Sequence, residues 1–132
     1  MAKRLVAIVD DEPDIGNLFL DYLGKMKHLS IFTFTDPLVA LEHIQINSND
    51  YAIVISDLRM PNLDGFELIK RTIDLNPFVR TILMTAFEVN DKLFEDYARQ
   101  QIIDAFLQKP ILLPNLYEEI RMQLRIYNRM QK

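Results

Sequence analysis

A chain of 132 residues, 49% hydrophobic and 26% charged, is long and apolar enough to form one globular domain with its own core. It has no cysteine, which excludes disulfides, thiolate metal sites and cysteine nucleophiles and fits a reducing, cytoplasmic setting. A formal net charge of -4 argues against nucleic-acid binding across the whole surface, and no apolar run is long enough for a signal-peptide core or a membrane span.

Residues 5–9 read as a buried strand, stopped abruptly by Asp10, Asp11 and Glu12. Pro13 suits the first turn of a helix whose apolar stripe is Ile15, Leu18, Phe19, Tyr22, Leu23 and Met26. After Ile31, Phe32 and Phe34 alternate with Thr33 and Thr35 in a short strand. Asp36-Pro37 then supplies the cap and first turn of a helix carrying Leu38, Leu41 and Ile44. Asn47, Ser48, Asn49 and Asp50 close that helix. Residues 51–55 are apolar and β-branched, a third strand that breaks at Ser56 and Asp57, and Pro61, Asn62, Asp64 and Gly65 spell an irregular connection. The next helix turns Phe66, Ile69 and Ile73 inward and stops before Asn76-Pro77. Residues 79–84 form a fourth strand leading into Thr85-Ala86-Phe87. Residues 88–101 are helical, with Leu93, Phe94, Tyr97 and Ala98 on one side. Residues 105–107 form a last strand ending at Gln108-Lys109-Pro110, and a final helix from about Pro114 buries Leu116, Tyr117, Ile120, Leu124 and Tyr127.

Five rounds of strand then helix, with strands this apolar, predict an α/β fold: a parallel sheet covered on both faces by helices, in one domain over residues 1–132. Parallel strands bring the residues just past their carboxyl ends to one sheet edge. Asp10 and Asp11 come after the first strand, Asp57 after the third, Thr85 after the fourth and Lys109 after the fifth. Three carboxylates gathered there repel one another unless a cation joins them, and oxygen ligands without His or Cys suit a hard ion such as Mg2+. With an ammonium and a hydroxyl added, the group is complementary to a phosphoryl group. His28 and His43 fall in helix or helix-end contexts and read as ordinary surface residues. Taken singly, each site residue has a plainer reading. Asp57 then caps a loop, Asp10 and Asp11 cap a helix, Thr85 and Phe106 are strand residues, and Lys109-Pro110 is a loop.

AIVDDE, VISDLRMPNLDG, ILMTAF and FLQKP, in this order and spacing, resemble the receiver domain of two-component response regulators over essentially the whole chain. The resemblance implies a flavodoxin-like (βα)5 three-layer sandwich with sheet order 2-1-3-4-5. It implies Asp57 as the phosphoacceptor from a phosphohistidine of a sensor histidine kinase or phosphotransfer protein. Mg2+ would be held by Asp11, Asp57, the backbone carbonyl of Arg59 and, largely through water, Asp10. Lys109 and Thr85 would bind phosphoryl oxygens, with Thr85 and Phe106 as the switch pair. Arg59 and Phe87 match site-flanking positions that tune water access. The sequence departs from the family at Ile102-Ile103, where Gly-Ala is common, and at Leu112-Leu113, where Asp or Ser often caps the last helix.

Receivers signal through the fourth helix, fifth strand and fifth helix, toward a downstream effector protein or a second copy. Arg121, Arg125 and Arg129 recur every fourth residue on the last helix: either a solvated face or a ridge that docks an acidic partner or dimer mate. Kinase pairing is expected on the first helix, around Asn17 and Asp21. The chain ends with its last helix, which leaves a stand-alone receiver or one cut from a longer regulator. A Mg2+-dependent aspartyl-phosphate hydrolase of the haloacid-dehalogenase type needs an acid two residues past the nucleophile, where this chain has Arg59. A scaffold of the same fold that is never phosphorylated is the third reading.

Overall fold

The computed structural model describes residues 4–86 and 92–131. Five strands alternate with helices: β1 (Arg4–Val9), α1 (Pro13–Leu23), β2 (Leu29–Phe34), α2 (Pro37–Ile46), β3 (Tyr51–Asp57), α3 (Gly65–Leu75), β4 (Arg80–Thr85), α4 (Lys92–Arg99), β5 (Ala105–Gln108) and α5 (Leu113–Met130). The strands form one sheet in the order β2-β1-β3-β4-β5, and every pairing is parallel. This is the expected flavodoxin-like order, with the reversal of winding between β1 and β3.

The two faces of the central strands are both dry. Val6 and Ile8 of β1, Ile53 and Ile55 of β3, and Ile82 and Met84 of β4 pack with Phe19, Leu23, Leu116, Ile120 and Tyr127 of α1 and α5. Ala7, Val54 and Leu83 point the other way, toward Ile44 of α2 and Ile69 of α3. That alternation explains the unbroken apolar runs: a strand with helices on both sides has no solvent face to mark with polar residues. The register of β3 against β1 slips by one at Ala52, so Ala52 and Ile53 both serve the α1/α5 side.

Helix α2 starts at its expected cap, and α3 starts at a cap the sequence pattern marked only as part of the connection. Asp36 Oδ1 accepts from the Leu38 amide at 2.9 Å and Asp64 Oδ1 from the Glu67 amide at 2.8 Å. Leu112 occupies the α5 N-cap with no side-chain bond, and Pro114 sits in the first turn in its place, as the departure there implied. In α1 the expected stripe is narrower than its sequence. Ile15, Phe19 and Leu23 face the core and Met26 packs on it from beyond the helix end, whereas Leu18 and Tyr22 are exposed. Leu38 is likewise exposed, and Ala98 is exposed on α4. A 3.6-residue period assigns a face to within about one residue: Phe19 and Leu23, one position past Leu18 and Tyr22, take the core, and Pro37 is buried beside Leu38. Residues 88–91, expected at the start of the fourth helix, and the side chains of Leu93, Phe94 and Tyr97 lie outside the described residues.

His43 is not the ordinary surface residue its helical setting suggested. It is half-buried against the rings of Phe32, Phe34 and Tyr51, and its Nδ1 lies 2.7 Å from the Tyr51 hydroxyl. Tyr51 is fully buried, burial pushes its hydroxyl pKa up, and His43 is its polar partner at the start of β3. His28 adopts a positive φ of 67° at the turn into β2, where its carbonyl accepts from the Arg4 amide.

The approach to β5 is tied more by polar contacts than by Ile102 and Ile103. Thr81 Oγ1 donates to the Ile102 carbonyl at 2.6 Å, Asp104 Oδ2 accepts from the Thr81 amide at 2.8 Å, and Arg80 pairs with Asp104 at 3.2 Å. Thr81 is fully buried, so these bonds replace water it cannot reach. Ile103 packs on the second core cluster beside Phe106.

Candidate functional site

The carboxyl ends of β1, β3, β4 and β5 deliver their side chains to one place. Oxygens of Asp10, Asp11 and Asp57 lie within 4.8 Å of one another. Lys109 Nζ lies 3.3 Å from Asp10 Oδ2 and 3.2 Å from Asp57 Oδ1. Asp10 is buried, Asp57 is 9% exposed and Asp11 is open to solvent. Thr85, at the end of the neighbouring strand, is also buried.

Each position has a local cause. Asp10 Oδ1 accepts from the Glu12 amide at 2.9 Å, a local turn ahead of α1 rather than the helix cap weighed for this residue, since the N-cap is Glu12 without a side-chain bond. The other Asp10 oxygen faces Lys109. Asp57 is the last residue of β3, and the loop after it is held down by apolar plugs: Leu58 and Leu63 are buried, and Leu63 packs with Val9, Ala40, Leu41 and Leu68. The Leu58 amide donates to Met84 O of β4, and the Gly65 amide returns to Leu58 O at 2.8 Å. Asn62 makes the turn with a positive φ of 74°, which asparagine tolerates better than most residues. Lys109 is set by its own amide, which donates to Thr85 O at 2.8 Å, and the Lys109-Pro110 peptide is cis.

Gly65 is the site residue that the sequence reading passed over as a turn signal. A Cβ there would stand 2.0 Å from the Asp57 carbonyl oxygen and 2.8 Å from Ser56 Oγ. The first residue of α3 is therefore pressed against the strand end that carries Asp57, and any side chain would push the two apart. A glycine eight positions past the aspartate was visible in the sequence, but only the packing says that it needs to be one.

Electrostatically the pocket is unbalanced. Burial raises the Asp57 pKa above the usual carboxylate range; Lys109 opposes that shift, and the charges of Asp10 and Asp11 reinforce it. Burial works against the charge on Lys109, but the pull of Asp57 and Asp10 outweighs it and raises its pKa. One ammonium among three carboxylates leaves the cluster net acidic, and its donors are all oxygens. The residues present thus fit a hard divalent cation, which would relieve the repulsion that Lys109 only partly offsets.

The sequence profile described as "Response regulator receiver domain" matches residues 6–121. The chain belongs to the response regulator receiver family. Among curated proteins, this receiver is 33% identical over 125 residues to the sensor histidine kinase RcsC of Escherichia coli, covering 93% of this chain and 12% of that protein. It is 28% identical over 128 residues to the response regulator protein PilR of Pseudomonas aeruginosa, covering 97% of this chain and 28% of that protein. The chain thus spans a minor part of these relatives. Among solved structures, the CheY-like receiver domain protein from Methanospirillum hungatei superposes with a TM-score of 0.85 at 20% identity, covering 98% of this chain and 99% of that one, a likeness of fold. Receivers are signalling domains rather than enzymes in the usual sense, and membership of the family places this one in two-component signalling. No helix among the described residues is long and apolar enough to cross a membrane.

Around this centre the other expected residues fall in mixed positions. Arg59 is exposed just past Asp57. Phe106 is half-buried on β5, paired in register with Leu83 and packed on the second core cluster. Phe87 lies outside the described residues. The arginine ridge of α5 does not stay with the α4–β5 side. Arg121 and Arg125 line a cleft against the segment following α1, while Arg129 is exposed beyond it. The core stripe of α5 runs through Leu116, Ile120, Gln123 and Tyr127, and one step round the helix from Ile120 leads toward α1.

Proposed function

We propose that residues 1–132 act as one phosphorylation-controlled switch with Asp57 as phosphoacceptor, and the observation that carries this is Lys109 within 3.3 Å of both Asp10 and Asp57 in a three-carboxylate cluster. An Asp57 carboxylate oxygen attacks the phosphorus of a phosphohistidine on a sensor histidine kinase or phosphotransfer protein. The P–N bond breaks, the imidazole leaves, and an acyl phosphate remains on Asp57. Lys109, already beside Asp57, moves its ion pair onto a phosphoryl oxygen, and Thr85 donates its hydroxyl to another. Asp10, Asp11, Asp57 and the carbonyl of Arg59 hold Mg2+, which when bound neutralises charge on the transferring group.

An apolar cleft of about 520 Å3 supports the partner assignment: Ile15, Leu18 and Phe19 of α1 face Pro110 and Ile111, with Glu12 and Lys109 at its edge. Leu18, missing from the core, is exposed here, in the same cleft as Lys109, which would bind a phosphoryl oxygen. A kinase helix seated in this cleft brings its histidine to Asp57, and the adjoining α1 positions Asn17 and Asp21 contribute to partner choice. After transfer, about one further negative charge and the new phosphoryl acceptor oxygens draw the Thr85 hydroxyl toward the phosphoryl group and let Phe106 follow. That changes the α4–β5–α5 face offered to an effector or a second copy.

The test is incubation of the protein with Mg2+ and beryllofluoride or a small acyl-phosphate donor. Stoichiometric modification of Asp57 is expected; continuous turnover supports the hydrolase instead, and no modification supports an unphosphorylated scaffold. The hydrolase is disfavoured by Arg59, which stands exposed where a second acid is required. Phe87, on its sequence position alone, is proposed to shield the acyl phosphate from water. Phe87→Ala is expected to speed dephosphorylation several-fold, on the order of the factors that a repositioned water commands. An unchanged lifetime removes that role.

A further inference from the structure

Four cations converge far along α5 from its capping end. Lys25 and Lys27, in the turn after α1, and Arg121 and Arg125 of α5 line a cleft of about 500 Å3 whose remaining walls are Met26, Tyr117, Leu124 and Asn128. Among the described residues no carboxylate lines it, in a chain whose net charge is -4. Glu118 pairs with Arg121 at 3.7 Å and Asp21 stands at the next hollow beside Lys25, so both acids belong to the rim. Lysines just past a helix end have a local use, since they complement the last carbonyls of α1. That does not explain two arginines facing them from another helix.

The walls say more about the occupant. Tyr117 carries Arg121 over its ring at 5.9 Å and meets the exposed Tyr22 edge-on at 6.3 Å, so the cationic cleft has an aromatic shoulder. A second copy docked by two-fold symmetry would set this patch against itself and bring like charges together. A nucleic-acid backbone would gain from the four cations but would meet Asp21 and Glu118 on the rim and leave the apolar walls without a partner. A peptide that alternates carboxylates with apolar or aromatic side chains satisfies both the charges and the walls.

We propose that the cleft between α5 and the α1–β2 turn is a docking site for an acidic, aromatic-bearing segment of a partner protein, separate from the phosphoacceptor pocket. The experiment titrates the isotope-labelled full chain with a short peptide alternating glutamate and phenylalanine, and in parallel with oligothymidylate of matched charge. The peptide is expected to shift the amides of Lys25, Lys27, Tyr117, Arg121 and Arg125. Raising salt from about 50 to about 300 mM should weaken it, as should Arg121→Glu with Arg125→Glu, by roughly tenfold or more. Neutral Arg121→Gln with Arg125→Gln gives the same direction if the reversal impairs folding. Beryllofluoride modification of Asp57, which these residues do not touch, reports on fold and is expected to be unchanged. Shifts centred elsewhere, or an affinity indifferent to both variants, overturn the proposal. So does tighter binding of oligothymidylate, or concentration-dependent dimerisation that the variants abolish. Peptide binding here without any Asp57 adduct would overturn the phosphoacceptor reading and leave this one standing.

Discussion

Asp57→Asn is expected to lose the acyl-phosphate and beryllofluoride adducts entirely while keeping the fold. The amide has no nucleophilic carboxylate oxygen, and among the described residues no other side chain takes its place at the end of β3. Stability is expected to hold for a separate reason. Burial and the charges of Asp10 and Asp11 both work against the Asp57 carboxylate, so a neutral residue of the same shape removes a buried, repelled charge. Lys109 keeps Asp10 at 3.3 Å as a partner. The Coulomb gain and the lost Lys109 contact partly cancel, leaving a change within about 1 kcal/mol of the parent. Mass spectrometry after incubation with donor and Mg2+, beside a thermal melt, checks both halves. A full adduct on the variant would mean that another residue is the acceptor, and a collapsed melt would mean that Asp57 holds the fold.

Gly65→Ala should do the reverse, damaging stability and chemistry together. The added methyl group would stand 2.0 Å from the Asp57 carbonyl oxygen, a backbone atom that cannot swing aside as a flexible side chain can. Either α3 retreats, breaking the Gly65-to-Leu58 bond that closes the loop, or the end of β3 tilts and takes Asp57 away from Lys109. Overpacking of this kind costs roughly 1–3 kcal/mol and more where the backbone is the obstacle. For a domain of this size that lowers Tm by on the order of 10 °C. Adduct formation at Asp57 should slow markedly at temperatures where the variant is still folded. A variant with parental Tm and parental phosphorylation rate would show that the close approach is not needed.

Comparing these residues shows where sequence reasoning reached its limit. The carboxylates, the lysine and the threonine were legible because each comes after a run of buried-strand residues, and parallel strands have only one carboxyl edge on which to collect them. The cap at Asp36 was equally local, since a side chain there needs only the amide two residues on. Leu18 and Tyr22 were misjudged because periodicity names a helical stripe without saying how wide a face its neighbours cover. His43 was misjudged because its partners, Phe32, Phe34 and Tyr51, come from two other strands.

The order of strands and helices, their ends and the chemical kinds of group gathered at one edge were determined by the chain itself, because these depend on propensity, period and connection. Distance was decided by tertiary packing alone. Gly65 lies against β3, Thr81 binds Asp104 across two strands, and Arg121 and Arg125 face Lys25 and Lys27. Contacts between residues far apart in sequence are fixed by how helices settle on a twisted sheet. No local pattern encodes that spacing.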